Sequence, residues 1–310
     1  MIIDVQNLVK RYDKLTALNH VDLQVQPGEI LGLLGPNGSG KSTMINCILA
    51  LLQYDRGDIK VFDQPMTANS YALKQRIGII PQEIAVFEEL TVQENISYYC
   101  GLYVHDRQEL KVKVQQAIEL VGLEDFIKFY PKQLSGGLAR RLNIACGIAH
   151  QPELIFFDEP TVAVDPQSRN HILQSIKQLN QQGATIVYTT HYMEEAEFLC
   201  KRIVILDHGQ VIAQGTPTEL KDMVKANEKI ILEVPLLTAA QQQVLQQLPA
   251  IQHIDYQNQS LTVTSKDLEQ TLLPLLECLK QQKIVYANIH TQQISLNDVF
   301  LTITGRQLRD

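Results

Sequence analysis

Nine consecutive residues combine the side-chain types needed to hold a polyphosphate: Gly35-Pro36-Asn37-Gly38-Ser39-Gly40-Lys41-Ser42-Thr43. Glycines let successive backbone N–H groups turn toward an anion, and a helix starting at the end of such a loop adds partial positive charge. Lys41 supplies a full charge for β- and γ-phosphates, and Ser42 falls where a Mg²⁺ ion takes an oxygen ligand. Two flanking elements must position the loop. Ile30-Leu31-Gly32-Leu33-Leu34 before it reads as a buried strand, and Met44-Ile45-Asn46-Cys47-Ile48-Leu49 after it is apolar enough for a central helix.

Further candidates stand at the ends of other predicted strands. Asp158-Glu159 follows Leu154-Ile155-Phe156-Phe157, which puts two carboxylates at a C-terminal strand end, where α/β sheets bind ligands. Asp158 suits the metal and Glu159 the attacking water in cleavage of a γ-phosphate. His191 follows the buried run Ile186 to Thr190; it suits a γ-phosphate contact, although a lone histidine there is more often a cap or a core residue. Gln82 also ends a strand, and its amide can reach metal or water; alone, it is an ordinary surface glutamine. Tyr12 offers a ring for a nucleotide base, a stacking worth ~1–3 kcal/mol, but a surface tyrosine needs no such role. Ser135-Gly136-Gly137 after Leu134 opens a helix with a hydroxyl, bare N–H groups and a dipole, a second anion site. One nucleotide needs one phosphate cradle, so the second points to the nucleotide of another subunit.

The composition is that of a globular protein, with 45% hydrophobic and 20% charged residues in 310. Basic residues number 27 and acidic residues 34, a net charge of −7 that disfavours general nucleic-acid affinity. The cysteines at 47, 100, 146, 200 and 278 are widely spaced and embedded in apolar sequence, as reduced core thiols are. No segment resembles a signal peptide and no apolar run reaches the ~18 residues of a membrane span, so membrane association is expected to go through a partner.

The order of elements predicts an α/β phosphate-loop core with an antiparallel β subdomain, an inserted helical subdomain and a small α+β tail. Ile2 to Val9 and Val21 to Val25 alternate as half-buried antiparallel strands do, and Ile59 to Phe62 and Ile77 to Ile80 are two more strands. From about 83 to 150 the pattern is helical, with capping-box spacing at Thr91 to Glu94 and a stop at Gly122. A helix follows the cap at Asp165-Pro166, a hairpin turns at Asp207-His208-Gly209, and another helix starts at Thr216-Pro217. The core is expected to span 1–222 and the tail 227–310. In the tail a strand from Ile230, a helix from Thr238, a hairpin around Gln257 to Gln259, a helix over Asp267 to Gln282 and a strand over Ile284 to Ile289 give a βαββαβ order, the ferredoxin-like arrangement. A short helix is expected from Ser295.

In motif order and spacing, residues 1 to about 222 resemble the ATP-binding cassette (ABC) ATPases, through Tyr12, the loop Gly35 to Thr43, Gln82, Leu134 to Gly137, Asp158-Glu159-Pro160, Asp165 and His191. The resemblance implies binding of ATP with Mg²⁺, the metal held by Ser42, Gln82 and Asp158, and hydrolysis served by Glu159, His191 and Gln82. It implies nucleotide contacts from Tyr12, from Gly35, Asn37, Gly38, Ser39, Gly40, Lys41, Ser42 and Thr43, and from Ser135, Gly136, Gly137 and Asp165. It also implies a head-to-tail dimer, each ATP lying between the phosphate loop of one subunit and Ser135 to Gly137 of the other. A groove near Gln82 would receive a helix of an integral-membrane permease, placing the protein on the cytoplasmic face of the membrane. Leu138 stands where the family usually has glutamine, and Ala163-Val164-Asp165 where glycine-leucine-aspartate is commoner. The ending Ser295-Leu296-Asn297-Asp298-Val299-Phe300-Leu301 with Thr304-Gly305 looks like that of ATPase subunits of bacterial drug, antibiotic-resistance and lipid exporters. Two rival classes fit less well. A soluble ABC protein of ribosomes or DNA usually carries two cassettes or long coiled coils, and a phosphate-loop kinase or GTPase leaves Ser135 to Gly137 without a purpose.

Overall fold

The computed structural model describes residues 1–224, 228–249, 251–265, 267–292 and 295–304. Packing divides it into two compact units, 1–217 and 218–307. Part of the expected boundary segment, residues 225–227, lies outside the described residues, as does Gly305 of the expected ending.

The first unit begins with the hairpin of β1 (Ile3–Tyr12) and β2 (Leu15–Val25), followed by β3 (Ile30–Leu34), α1 (Lys41–Ile48), β4 (Arg56–Val61), β5 (Gln64–Pro65), α2 (Tyr71–Lys74) and β6 (Ile77–Ile80). Three longer helices come next, α3 (Val92–Gly101), α4 (Arg107–Val121) and α5 (Gly136–Ile148). The α/β alternation resumes with β7 (Leu154–Asp158), α6 (Pro166–Gln181), β8 (Thr185–Thr190), α7 (Met193–Leu199), β9 (Arg202–Asp207) and β10 (Gln210–Gly215).

Two sheets result. The antiparallel one has the order β2-β1-β4-β5, and the six-stranded one runs β10-β9-β3-β8-β7-β6, parallel except for β10. β3 lies between β8 and β9 and is buried along its whole length, which is why its sequence is a continuous apolar run rather than an alternating one. Side chains from both sheets, such as Ile3, Leu18 and Val61 from one and Leu33, Phe156 and Val204 from the other, enclose α1 in one core. Register brings the chemistry to one edge: Leu34 pairs with Thr190, Asp158 with Thr189, and Ile80 with Phe157. The phosphate loop, Asp158, His191 and Gln82 therefore all leave the carboxyl ends of neighbouring parallel strands.

The helical segment starts and stops where its caps require. Thr91 and Glu94 form a reciprocal capping box on α3, Asp106 accepts from Gln108 and Glu109 N–H at the start of α4, and Gly122 in the left-handed region ends it. The sequence pattern did not predict α7. Its first turn carries Glu194 and Glu195, which look solvent-facing in sequence, yet Glu195 is buried.

The second unit runs through α8 (Pro217–Met223), β11 (Glu228–Glu233), α9 (Ala239–Gln246), β12 (Ile251–Gln257), β13 (Ser260–Ser265), α10 (Leu268–Gln281), β14 (Ala287–Gln292) and α11 (Leu296–Thr304). Its sheet is antiparallel with the order β12-β13-β11-β14. Ile230 and Leu232 of β11 and Leu261 and Val263 of β13 pack with Leu245 of α9 and with Leu275 and Leu279 of α10. The last strand starts three residues later than Ile284. That residue sits in the core, its N–H bonded to Leu279 O at 2.9 Å, and ladder pairing resumes at Ala287 opposite Glu233. Among the described residues no helix is long and apolar enough to cross a membrane, and all five cysteines are buried and unpaired.

Candidate nucleotide site

The loop between β3 and α1 is shaped by close backbone approaches that only glycine permits. A Cβ on Gly35 would lie 2.1 Å from Leu206 O and 2.6 Å from Ser39 Oγ, and one on Gly40, at φ +109°, would lie 2.7 Å from Ala17 O. The β9–β10 turn braces the loop from outside, because Gly209 N–H donates to Ser39 O at 2.9 Å. Ser39 Oγ is buried with no hydrogen-bond partner among the described residues, and the first N–H groups of α1 have no intrahelical acceptor. A loop with orphaned donors at a helix start fits phosphate oxygens.

Lys41 closes the floor of this cradle. Its side chain is only 5% exposed, and Nζ donates to Gly35 O at 2.8 Å and Pro36 O at 3.2 Å while standing 3.3 Å from Glu159 Oε1. The other oxygen of Glu159 faces His191 Nδ1 at 3.2 Å. Glu159 holds φ +48°, a left-handed conformation unusual for glutamate, which turns its carboxylate into the site.

Asp158 is set by two hydroxyls. Ser42 Oγ donates to Oδ2 at 2.9 Å and Thr189 Oγ1 to Oδ1 at 2.7 Å; the same Thr189 oxygen accepts from Glu159 N–H at 2.9 Å. The pairing of a serine hydroxyl with a carboxylate is an all-oxygen donor set suited to a hard divalent cation. Among the described residues no group of three or more His, Cys, Asp or Glu could form a metal cage, so phosphate and water oxygens would have to complete such a coordination sphere.

Lys41, Ser42, Asp158, Glu159 and His191 are thus joined in one hydrogen-bonded and ion-paired cluster, and Thr189, which the sequence did not single out, organises two of them. The other predicted residues stand outside it. Tyr12 is 44% exposed at the end of β1, with Lys10 Nζ 5.0 Å from its ring centre. Gln82 is exposed, but the chain on either side of it is fixed: Arg140 and Asn143 of α5 donate to Pro81 O at 3.2 and 3.3 Å, and Ala85 N–H donates to Asn143 Oδ1 at 3.0 Å. Sequence reading missed Arg140 and Asn143; their burial on a helix that starts at Ser135 marks them.

Ser135 caps α5, its Oγ accepting from Leu138 N–H at 3.3 Å, so the unusual leucine keeps its backbone bond. Ser135 and Gly136 are exposed, whereas a Cβ on Gly137 would lie 2.2 Å from Ser168 Oγ and 2.6 Å from Asp165 Oδ2. Asp165 caps α6 through Ser168 N–H at 2.9 Å, and that bond holds its carboxyl below the usual range.

A phosphate cradle, a serine and aspartate pair at the same sheet edge and a glutamate facing the cradle lysine define a phosphate-loop nucleotide site on a doubly layered cassette. The family model described as ABC transporter matches residues 18–162. The chain is 39% identical over its whole length, and the whole of the relative, to a linearmycin resistance ATP-binding protein of Bacillus subtilis. It is 35% identical to the daunorubicin/doxorubicin resistance ATP-binding protein of Streptomyces peucetius, over 99% of this chain and 94% of that one. With a Nod factor export ATP-binding protein of Sinorhizobium fredii it shares 33% identity over 99% and 87% of the two chains. Among solved structures, the dimeric ATP-binding cassette MJ0796 in a post-hydrolysis state with ADP and phosphate matches with a TM-score of 0.64 and 30% identity, over 69% of this chain and 98% of that one. The chain belongs to the ABC transporter family, as an ATP-binding subunit, and is an ATPase.

Proposed function

We propose that the protein is the energy-coupling ATPase of an exporter, and that the cluster of Lys41, Ser42, Asp158, Glu159 and His191 is its hydrolytic centre. The observation that carries this is the placement of Glu159, buried between Lys41 at 3.3 Å and His191 at 3.2 Å. Lys41 leaves Glu159 and the loop carbonyls to hold β- and γ-phosphate oxygens, together with the N–H groups of 38–43. Freed of Lys41, Glu159 accepts a proton from the attacking water, and His191, now on the γ-phosphate side of that carboxylate, holds the phosphate in line. Ser42 and Asp158 would hold Mg²⁺, with the exposed Gln82 amide as a further ligand carried on the chain fixed at Pro81; the ion would supply charge neutralisation for the phosphates. Tyr12 carries the base.

Ser135 to Gly137 face a second subunit in this reading, and Asp165 lies beside them, so each nucleotide is enclosed by two chains in head-to-tail order. The relatives named for resistance and export favour outward transport of a drug, an antibiotic or a lipid-like molecule. The permease is a separate integral-membrane chain. Its helix docks beside Gln82, where Ile84, Phe87 and Tyr98 are exposed, and this contact holds the ATPase at the cytoplasmic membrane face. Residues 1–222 form the ATPase domain, with a helical subdomain at about 83–150, and 227–310 form an accessory domain. The strand order β12-β13-β11-β14 with α9 and α10 packed on it supports a ferredoxin-like arrangement for that domain.

The test is complementation between defective chains. Lys41→Ala removes the cradle charge and Ser135→Arg blocks the second anion site, so each purified variant should lack turnover. Mixed together, they should recover part of it, because one kind of hybrid site has both halves intact. No recovery in mixtures that contain hybrid dimers would refute the shared site.

A further inference from the structure

One buried acid has no part in the chemistry above. Glu195, in the first turn of α7, is 1% exposed, and its carboxylate is met from three directions. Arg169 Nε of α6 donates to Oε1 at 2.6 Å, while Tyr188 OH and Thr190 Oγ1 of β8 donate to Oε2 at 2.7 and 2.8 Å. Burying a carboxylate is costly unless it is paired and its lone pairs are used, and here both conditions hold. The loop it touches carries His191. Thr190 Oγ1, while donating to Glu195, accepts from Tyr192 N–H at 3.0 Å, closing a tight turn around the residue between them. Arg169 continues the clamp, its guanidinium 4.6 Å from the centre of the Tyr192 ring, which itself lies 4.2 Å from the imidazole of His191. Arg169 is also one helical turn after the Asp165 cap, its N–H bonded to Asp165 O at 2.8 Å.

We propose that Glu195 is a positioning residue for hydrolysis: by orienting the Thr190 hydroxyl and the Arg169 guanidinium it fixes the turn that aims His191 at Glu159, and it ties that turn to the start of α6. The charge matters as well as the shape. All three partners donate to Glu195; a glutamine keeps the shape but removes the counter-charge of Arg169, and its NH₂ end at the Oε2 position forces the Tyr188 and Thr190 hydroxyls to accept instead of donate. The Thr190 hydroxyl then rotates to serve another acceptor, the bond from Tyr192 N–H weakens, and His191 leaves its position beside Glu159. Glu195, Arg169 and Thr190 make no side-chain bond to the phosphate loop, which is reached only beyond His191 through the pairing of Glu159 with Lys41, so the loss is expected in turnover more than in ATP binding.

The inference rests on the role proposed for His191, and a double-mutant cycle separates the two. Steady-state ATPase rates are measured for Glu195→Gln, His191→Ala and the double variant, with Thr190→Val as a near-isosteric second probe if Glu195→Gln folds poorly. Glu195→Gln and Thr190→Val should each lower kcat about tenfold or more, the range seen for residues that orient a reacting group. KM for ATP should stay within about twofold, because an interaction made only in the transition state is lost. In the His191→Ala background Glu195→Gln should cost no further turnover. In histidine-labelled protein, the NMR signal identified by its loss in His191→Ala should shift in Glu195→Gln, while those of exposed His20, His253 and His290 stay. A His191→Ala loss with an equal, additive Glu195→Gln loss would overturn the inference alone, as would normal turnover and an unmoved His191 signal in both probes. Normal turnover of His191→Ala would remove the role of His191 and the inference with it.

Discussion

The ion pair between Lys41 and Glu159 makes a prediction about the protein before it meets ATP. Both side chains are nearly closed off from water, at 5% and 7% exposed, so in the ligand-free chain the carboxylate is the counter-charge of the cradle lysine. Removing one member of a buried pair costs ~3–5 kcal/mol, because the other charge is left uncompensated. Lys41 keeps its bonds to Gly35 O and Pro36 O, so the lower end, about 3 kcal/mol, is expected for Glu159→Gln. A bound phosphate restores a negative partner to Lys41, so the penalty should fall on the ligand-free state alone. Affinity for ATP should then rise by the same margin, and at 1.4 kcal/mol per decade about 3 kcal/mol is a little over a hundredfold. The assay is urea unfolding and ATP titration of the wild type and Glu159→Gln in the presence of a chelator, so that no turnover intervenes. Equal stability of the two ligand-free proteins, or equal destabilisation with and without ATP, would refute the reasoning.

Two further outcomes follow from the geometry. Gly35→Ala places a methyl group 2.1 Å from Leu206 O, a clash that backbone must move to relieve, and should abolish binding of a fluorescent ATP analogue; retained affinity would show that the loop has another shape. His150, stacked on Tyr103 and hydrogen-bonded to Ile77 O, is kept neutral by burial, which depresses its pKa from 6.5 to about 4. Below 6.5 the unfolded chain binds the proton first, so stability should decline as pH falls and level off near 4, a loss of up to about 3 kcal/mol. Urea unfolding between these limits should show it, and His150→Gln should lose that component; identical pH slopes for both proteins would refute it.

Local patterns that encode their own geometry were legible in the sequence. The phosphate loop carries its glycines within the segment they shape, and the capping residues Thr91, Ser135 and Asp165 each sit three residues before the N–H they accept. Asp158 and Glu159 were legible because β7 is apolar up to Phe157 and then changes abruptly. What escaped notice depends on neighbours far along the chain. Thr189 is one threonine among several on β8 until the register with β7 sets it beside Asp158, and Arg140 and Asn143 look like the polar face of a helix until Pro81 meets them. Glu195 hid α7 for the same reason, since only Arg169, Tyr188 and Thr190, brought in by the fold, make its burial tolerable. The late start of β14 reflects competition for Ile284, which the helix-side core claimed from the sheet.

The hydroxyl of Thr189 has a consequence for mechanical tolerance. It donates to the side chain of Asp158 and accepts from the main chain of Glu159, so one atom on the neighbouring strand serves as the reference point for both acids. A shift of β8 against β7 is therefore felt by the Asp158 side chain and the Glu159 backbone together. The direction of each carboxylate is set separately, by Ser42 on Asp158 and by Lys41 and His191 on Glu159. Nucleotide binding rearranges those loop contacts, while the Thr189 hydroxyl keeps the strand end from which both acids project.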